Sequence, residues 1–325
     1  MKKIPVILDV DTGTDDAVAI LCAALSPKID LLALTVASGN QPLKNTVDNT
    51  LRIVELSGKD IPVYAGCPEP MVRNLMPGRA LDVRMQTVEK TINGEHISIH
   101  EPHLPLPAPK TKAQEQHACS YLVETLRSTK EKITIIAVAP LTNIGMALRM
   151  APEIAHNIEE LVIMGGSVNG GNRTPAAEAN FFDDPEAAQI VLKSGIPMRI
   201  FTLEATEIVE CDHKDANEFR KLGKVGEFVG DLIDGFIHRC TLLDICPNQA
   251  VAIHDAITVC GVIDPDMVTN QQKNACDICL SGWADGKLVV DRRNFASANE
   301  PVSIVYDIDK VRCLQAMKNS LEGKI

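Results

Sequence analysis

Short apolar runs and amphipathic segments alternate along the first third of the chain. IPVILD, at residues 4–9, is an apolar run of strand length that ends on an acid. DDAVAILCAALS then reads as a helix opened by acids and DLLALTVAS as a second strand. NTVDNTLRIVELSG reads as a helix closed by Gly58, and IPVYAG as a third strand. Apolar strands joined by amphipathic helices are the pattern of βαβ units in a parallel sheet covered on both faces. Residues 67–113 break the rhythm. They are rich in proline, lack periodicity and carry His96, His100 and His103. A stretch this long without regular pattern is expected to be functional or mobile.

Alternation then resumes. AQEQHACSYLVETLRS is predicted helical, KITIIAVAP a strand, LTNIGMALRMAPEI a helix and EELVIMGGS a strand. A glycine-rich irregular stretch, GGSVNGGNRTPAAEANFFDD, follows. DPEAAQIVLKSG is predicted helical and IPMRIFTLE a strand. Residues 212–264 read as mostly helical, and the tail carries short strands in DICLSGWADGKLVVD and VSIVYDI. The expected fold is α/β: an open, mainly parallel sheet flanked by helices, with a Rossmann-like core and a helical C-terminal region. With no repeat or linker in view, residues 1–325 read as a single domain.

Composition narrows the function. Hydrophobic residues make up 45 % of the 325, which excludes global disorder. Aromatics are only 3 %, with the single Trp283, which argues against base stacking on single-stranded nucleic acid. The formal net charge of −11, without a basic block, argues against nucleic acid and anionic membranes as partners. A divalent cation and a neutral polar substrate fit better. No signal-peptide pattern opens the chain, and no apolar run approaches the roughly 18–20 residues of a membrane span. The ten scattered cysteines read as reduced thiols, so a cytoplasmic location is expected. Cys276 and Cys279 form one CxxC without a second pair, and are read as buried small hydrophobes on opposite faces of a strand.

Four segments at predicted strand ends carry matching chemistry, and strand carboxyl ends are where open α/β sheets bind ligands. In DVDTGTDD, Asp9, Asp11, Asp15 and Asp16 crowd into eight positions. Helix capping explains one or two acids there, not four. An EF-hand fails, because Gly13 stands at a ligand position and Ile20 where the bidentate acid belongs. In AVAPLTNIG, the break after the strand could turn the Val138 carbonyl toward an ion. GGNRTPAAEAN offers Asn172, Glu178 and Asn180 for hydroxyl recognition, and AIHDAITV places His254 and Asp255 at the start of an apolar helix. Each segment alone has an ordinary explanation as a turn, a polar loop or a cap.

Together they resemble the nucleoside hydrolase family of the inosine-uridine-preferring type. The resemblance runs over nearly the whole chain and is densest in DVDTGTDDAVAI, SGN at 38–40, APLTNI, VIMGGSV, AEAN with DPEAA, and HDAIT. It implies a nucleoside-hydrolase-type fold and a calcium ion held by Asp11, Asp16, Asp255 and the Val138 carbonyl. It implies ribose contacts from Asp15, Asn40, Asn172, Glu178 and Asn180, with His254 near the leaving base. The implied reaction is hydrolysis of a ribonucleoside to ribose and free base, with a metal-held water activated by Asp11. A homodimer or homotetramer is expected. Asp9 is left as a structural support for the acidic loop. Two departures bear on substrate: Ala179 stands where the family commonly has an aromatic residue, and NGEHISIHEPH replaces a glycine-rich HG…GL stretch.

Alternatives stay open at this point. DVDTGT is superficially like the opening of haloacid-dehalogenase-like magnesium phosphatases, but the downstream lysine and late acid pair are not found. A ribose- or nucleoside-binding protein without catalysis would fit the same fold, although Asp11, the expected base, is present.

Overall fold

The computed structural model describes residues 2–76, 79, 89–293 and 302–323. In chain order its strands are β1 (Ile4–Val10), β2 (Ile29–Val36), β3 (Val63–Ala65), β4 (Glu89–Ile92), β5 (Glu95–Ser98), β6 (Ile133–Ala137), β7 (Ile158–Met164), β8 (Met198–Phe201), β9 (Glu210–Asp212), β10 (Ala250–Ala252), β11 (Val268–Ile278), β12 (Leu288–Asp291) and β13 (Val302–Ile308). Among the described residues, nine of these form one sheet in the order β12-β11-β13-β8-β7-β6-β1-β2-β3. Pairing is parallel from β13 through β3. Only β11 runs against its neighbours β12 and β13.

The strand order reverses between β1 and β6. From β1 the chain moves outward to β2 and β3, then returns to β6 on the other side and proceeds through β7 and β8. At such a switch point neighbouring connections leave in opposite directions and open a crevice beyond the strand ends. Asp11 directly follows β1 and Val138 directly follows β6, so both stand at that crevice.

Side-chain alternation along β1 feeds two cores. Val6, Leu8 and Val10 pack on one face with α1 (Thr14–Leu25) and α2 (Leu43–Ser57), while Ile7 packs on the other with α3 (Ala118–Ser128) and α4 (Thr142–Met150). Burial on both faces is why the central strands are apolar throughout. Among the described residues the further helices are α5 (Ala179–Asp183), α6 (Pro185–Leu192), α7 (Leu203–Thr206), α8 (His213–Arg220), α9 (Lys224–Leu242), α10 (His254–Ile263) and α11 (Lys310–Leu321). Gly58 ends α2 at φ 66°, the left-handed turn its sequence position anticipated.

Several elements differ from expectation. α3 starts at Ala118, not near 113, because His117 caps it and Gln114 donates its backbone N–H to Val63 at 2.8 Å. α4 stops at Met150, and Pro152–Asn157 continue as a 3-10 turn. Within the irregular stretch, β4 and β5 form a two-stranded hairpin. The parts of that stretch at 77–78 and 80–88 lie outside the described residues. The tail strand begins at Val268, well before DICL. VTNQQK lies along β13 only and is largely exposed, so no apolar alternation marks it. Cys276 and Cys279 are half-buried, so the expectation of full burial does not hold.

Candidate active site

The acidic loop is built around Asp16. It lies in the first turn of α1, and its Oδ1 accepts from Asp11 N at 3.1 Å while its Oδ2 accepts from Gly13 N at 2.8 Å. Asn40 Nδ2 also donates to Asp16 Oδ2 at 3.0 Å, and Asn40 N donates to Asp11 Oδ2 at 2.6 Å. The SGN segment is thus pinned over the loop. Gly39 makes that approach possible: a Cβ there would stand 2.1 Å from Asp11 Oδ2. Asp9, at the end of β1, accepts from Thr35 Oγ1 at 2.5 Å and Asn143 Nδ2 at 2.9 Å.

Asp255, in the first turn of α10, completes the group. Carboxylate oxygens of Asp15, Asp16 and Asp255 all lie within 4.8 Å of one another. Asp11, Asp15, Asp16 and Asp255 are all buried. Asp11 Oδ1 and Asp15 Oδ1 are buried with no hydrogen-bond partner among the described residues. Burial first, then repulsion from Asp16, pushes Asp11 well above the usual carboxylate range and Asp15 to about 7. Burial followed by repulsion from Asp15 does the same to Asp255. Buried acids this close are held by a proton or a cation. Two unpartnered oxygens in an all-oxygen donor set fit a hard divalent cation.

A cavity of about 1260 Å³ opens over this group. Asp11, Asn40, Asn172, Asn180, His100 and His254 are on its wall. Asn180 Nδ2 donates to the Val138 and Met164 carbonyls, both at 3.1 Å, which leaves its Oδ1 as an acceptor. The Val138 carbonyl keeps a second lone pair. Asn172 Oδ1 accepts from Ala179 N at 3.0 Å.

Glu178, like Asp15, is off the cavity wall, unlike the three asparagines. It caps α5: Oε1 accepts from Asn180 N at 2.8 Å, and Oε2 from Gly166 N at 2.7 Å and Phe181 N at 3.2 Å. Both oxygens are engaged, and Glu178 is not on the cavity wall. Burial outweighs those hydrogen bonds and pushes its carboxyl up to about 7.

His254 Nδ1 lies 2.7 Å from Thr206 Oγ1, and burial pushes its pKa down to about 4. The imidazole is neutral near pH 7. Of the loop histidines, His96 and His103 stand in solvent beside Glu89 and Asp48. His100 is drawn into the cavity, where its Nδ1 accepts from Thr14 N at 3.3 Å. Burial, reinforced by the Arg239 guanidinium, pushes it down to about 3. Arg239 anchors this loop by donating to Ile99 O at 3.2 Å and facing Glu101 at 3.4 Å. Asp183 also reaches the wall, 3.6 Å from Arg173, and was missed in the sequence. The readable signal is the doublet before Pro185: Asp184 is used up on Ala187 N, Thr142 and Met71 N, while its neighbour Asp183 faces the cavity beside Arg173.

Fold and site define an α/β enzyme with a carboxylate centre at the switch point of a parallel sheet. The family model described as inosine-uridine preferring nucleoside hydrolase matches residues 6–315. The pyrimidine-specific ribonucleoside hydrolase RihB of Escherichia coli K12 is 36 % identical over 315 residues, 95 % of each chain. A purine-preferring ribonucleoside hydrolase from Gardnerella vaginalis superposes with a TM-score of 0.84 at 26 % identity, covering 99 % of this chain and 98 % of that one. The plant nucleoside hydrolase PpNRh1 gives the same score and identity, covering 99 % of each chain. The chain belongs to the inosine-uridine preferring nucleoside hydrolase family and is a nucleoside hydrolase acting on ribonucleosides.

Proposed function

We propose that this enzyme cleaves the N-glycosidic bond of pyrimidine ribonucleosides in preference to purine ones. We further propose that it does so with calcium held by Asp11, Asp16, Asp255 and the Val138 carbonyl. The observation that carries the calcium reading is the pair of buried, unpartnered oxygens, Asp11 Oδ1 and Asp15 Oδ1, beside a group in which carboxylate oxygens of Asp15, Asp16 and Asp255 come within 4.8 Å of one another. The pyrimidine preference rests on the 36 % identity to RihB.

Bound there, the ion would offset the clustered negative charge and acidify a water. Asp11 is the acid of the cluster that reaches the cavity wall. The Asn40 N–H fixes its Oδ2, so Oδ1 is the oxygen that takes the proton of the attacking water. Asp15 Oδ1 and Asn180 Oδ1 accept from ribose hydroxyls, and the Asn172 amide and Asn40 Oδ1 complete that shell. Glu178 orients Asn180 through its backbone and adds negative charge near a sugar that becomes cationic in the transition state. His254, neutral and propped by Thr206, presents an N–H to the departing base. The assembly is proposed as a homodimer or homotetramer in the cytoplasm.

A panel of ribonucleosides, 2′-deoxynucleosides and a generic phosphomonoester tests this. Reducing sugar should appear from uridine and cytidine faster than from inosine. 2′-Deoxynucleosides should lose on the order of 10⁴-fold in kcat/KM, as expected when a site built for a hydroxyl loses it. Equal cleavage of deoxynucleosides would sink the ribose shell, and faster inosine turnover would sink the pyrimidine preference. Binding without turnover would favour a non-catalytic protein, and phosphate release a phosphatase. Elemental analysis of active protein should find calcium; zinc in its place would refute the metal assignment.

A further inference from the structure

A second group of metal-ligating side chains lies outside the carboxylate centre. Cys67 follows β3, His117 caps α3 and Cys119 lies in its first turn. Ligand atoms of all three fall within 4.8 Å of one another, and the two sulfurs are 3.8 Å apart. Both cysteines are free thiols. The backbone holds the two segments together: Gln114 N donates to Val63 O at 2.8 Å, and Tyr64 stacks on Tyr121 with ring centroids 3.9 Å apart.

We propose that Cys67, His117 and Cys119 form a binding site for a thiophilic cation, zinc above all, distinct from the all-oxygen centre. Two ligands about 2.3 Å from a tetrahedral ion stand about 3.8 Å apart, which is the spacing these sulfurs already have. Sulfur and imidazole select soft or borderline ions over calcium. Two thiolates and one imidazole leave the fourth position to water. The two sulfurs face each other as a thiol–thiol contact, in which either can donate. Binding releases the thiol protons to solvent and needs no oxidant. The imidazole lone pair now accepts from Cys119 N at 3.2 Å, and the cation would take it over. His117 is exposed, which supplies the entry path.

The site would act on the neighbouring machinery through the backbone of Cys67. Its N–H donates to Asn143 Oδ1 at 2.8 Å, and its carbonyl accepts from Ser38 N at 3.2 Å, in the SGN segment over Asp11. Occupancy therefore stiffens the segment that orients Asp11.

Cobalt chloride added to the reduced full-length protein, with calcium in excess, is the test. Thiolate-to-cobalt charge-transfer absorption should appear at one equivalent, and zinc chloride should abolish it. Cys67→Ser and His117→Gln should each remove or strongly weaken the absorption while the far-ultraviolet circular dichroism stays unchanged. Cys276→Ser should leave it intact. Absence of the absorption, its survival in Cys67→Ser, or its loss in Cys276→Ser would overturn the proposal. A Cys67–Cys119 disulfide found by peptide mapping of the reduced protein would do so as well.

Discussion

In the proposed mechanism Asp11 and His254 serve the two ends of the scissile bond, and each proposed role can be tested apart from its structural duties. Asp11→Asn keeps the shape and the bond from Asn40 but cannot take a proton. The expected outcome is a folded protein with turnover reduced about 10²–10⁴-fold, with metal content measured alongside. Turnover near the parental value with metal bound would remove Asp11 from the role of base. His254→Ala is expected to lose about 10²–10³-fold on a natural nucleoside and much less on p-nitrophenyl riboside, whose leaving group needs no proton. Equal losses on both substrates would reduce His254 to a support for Asp255. Burial that pushes His254 down to about 4 would make its proposed contribution that of a neutral N–H rather than an imidazolium.

The short helix α5 shows how an element can place a site residue while using up its apparent partner. In AEAN the carboxylate and the amide look alike as sugar ligands. The fold gives the carboxylate three backbone N–H groups and leaves the amide facing the cavity. Glu178 has a folded pKa of about 7, above its ordinary 4.5. Its contribution to stability is therefore full below about 4.5 and lost as pH rises toward 7. In Glu178→Gln that loss is absent. The difference in melting temperature between variant and parent should thus shift in the variant's favour as pH rises from 4.5 to 7. A constant difference would show that Glu178 does not titrate there. The same element marks the limit of the sequence reading. Buried parallel strands were legible because burial on both faces forces continuous apolar runs, and the acidic loop was legible because four acids exceed any capping need. The start of β11 was not, since a strand with one partner and a solvated flank keeps polar residues such as Gln271 and Gln272. Nor was the difference between His100 and its neighbours, which arises only when Arg239 of α9 ties Ile99 into place.

For the whole molecule, the proposed calcium ion is part of the folded state's stability as well as its chemistry. An ion present at about 100 times its dissociation constant stabilises the native state by about 2.7 kcal/mol. Chelation should then lower the melting temperature by on the order of 5 °C, with calcium restoring it and magnesium doing so less well. A melting curve indifferent to chelator, in protein shown by elemental analysis to have lost its metal, would separate the ion from the fold.

Asp255 follows Asp16 by 239 residues in the sequence (255 − 16). A ribosome must therefore make that whole span before the four acids can meet. Until α10 emerges, the first βα unit holds its acids without the partner that closes the group. A nascent chain arrested before residue 255 should neither retain calcium nor gain protease resistance from it, whereas the 325-residue chain, with β13 in place between β11 and β8, should do both. Retention of the proposed ion would thus report the moment at which Asp255 joins the earlier acids.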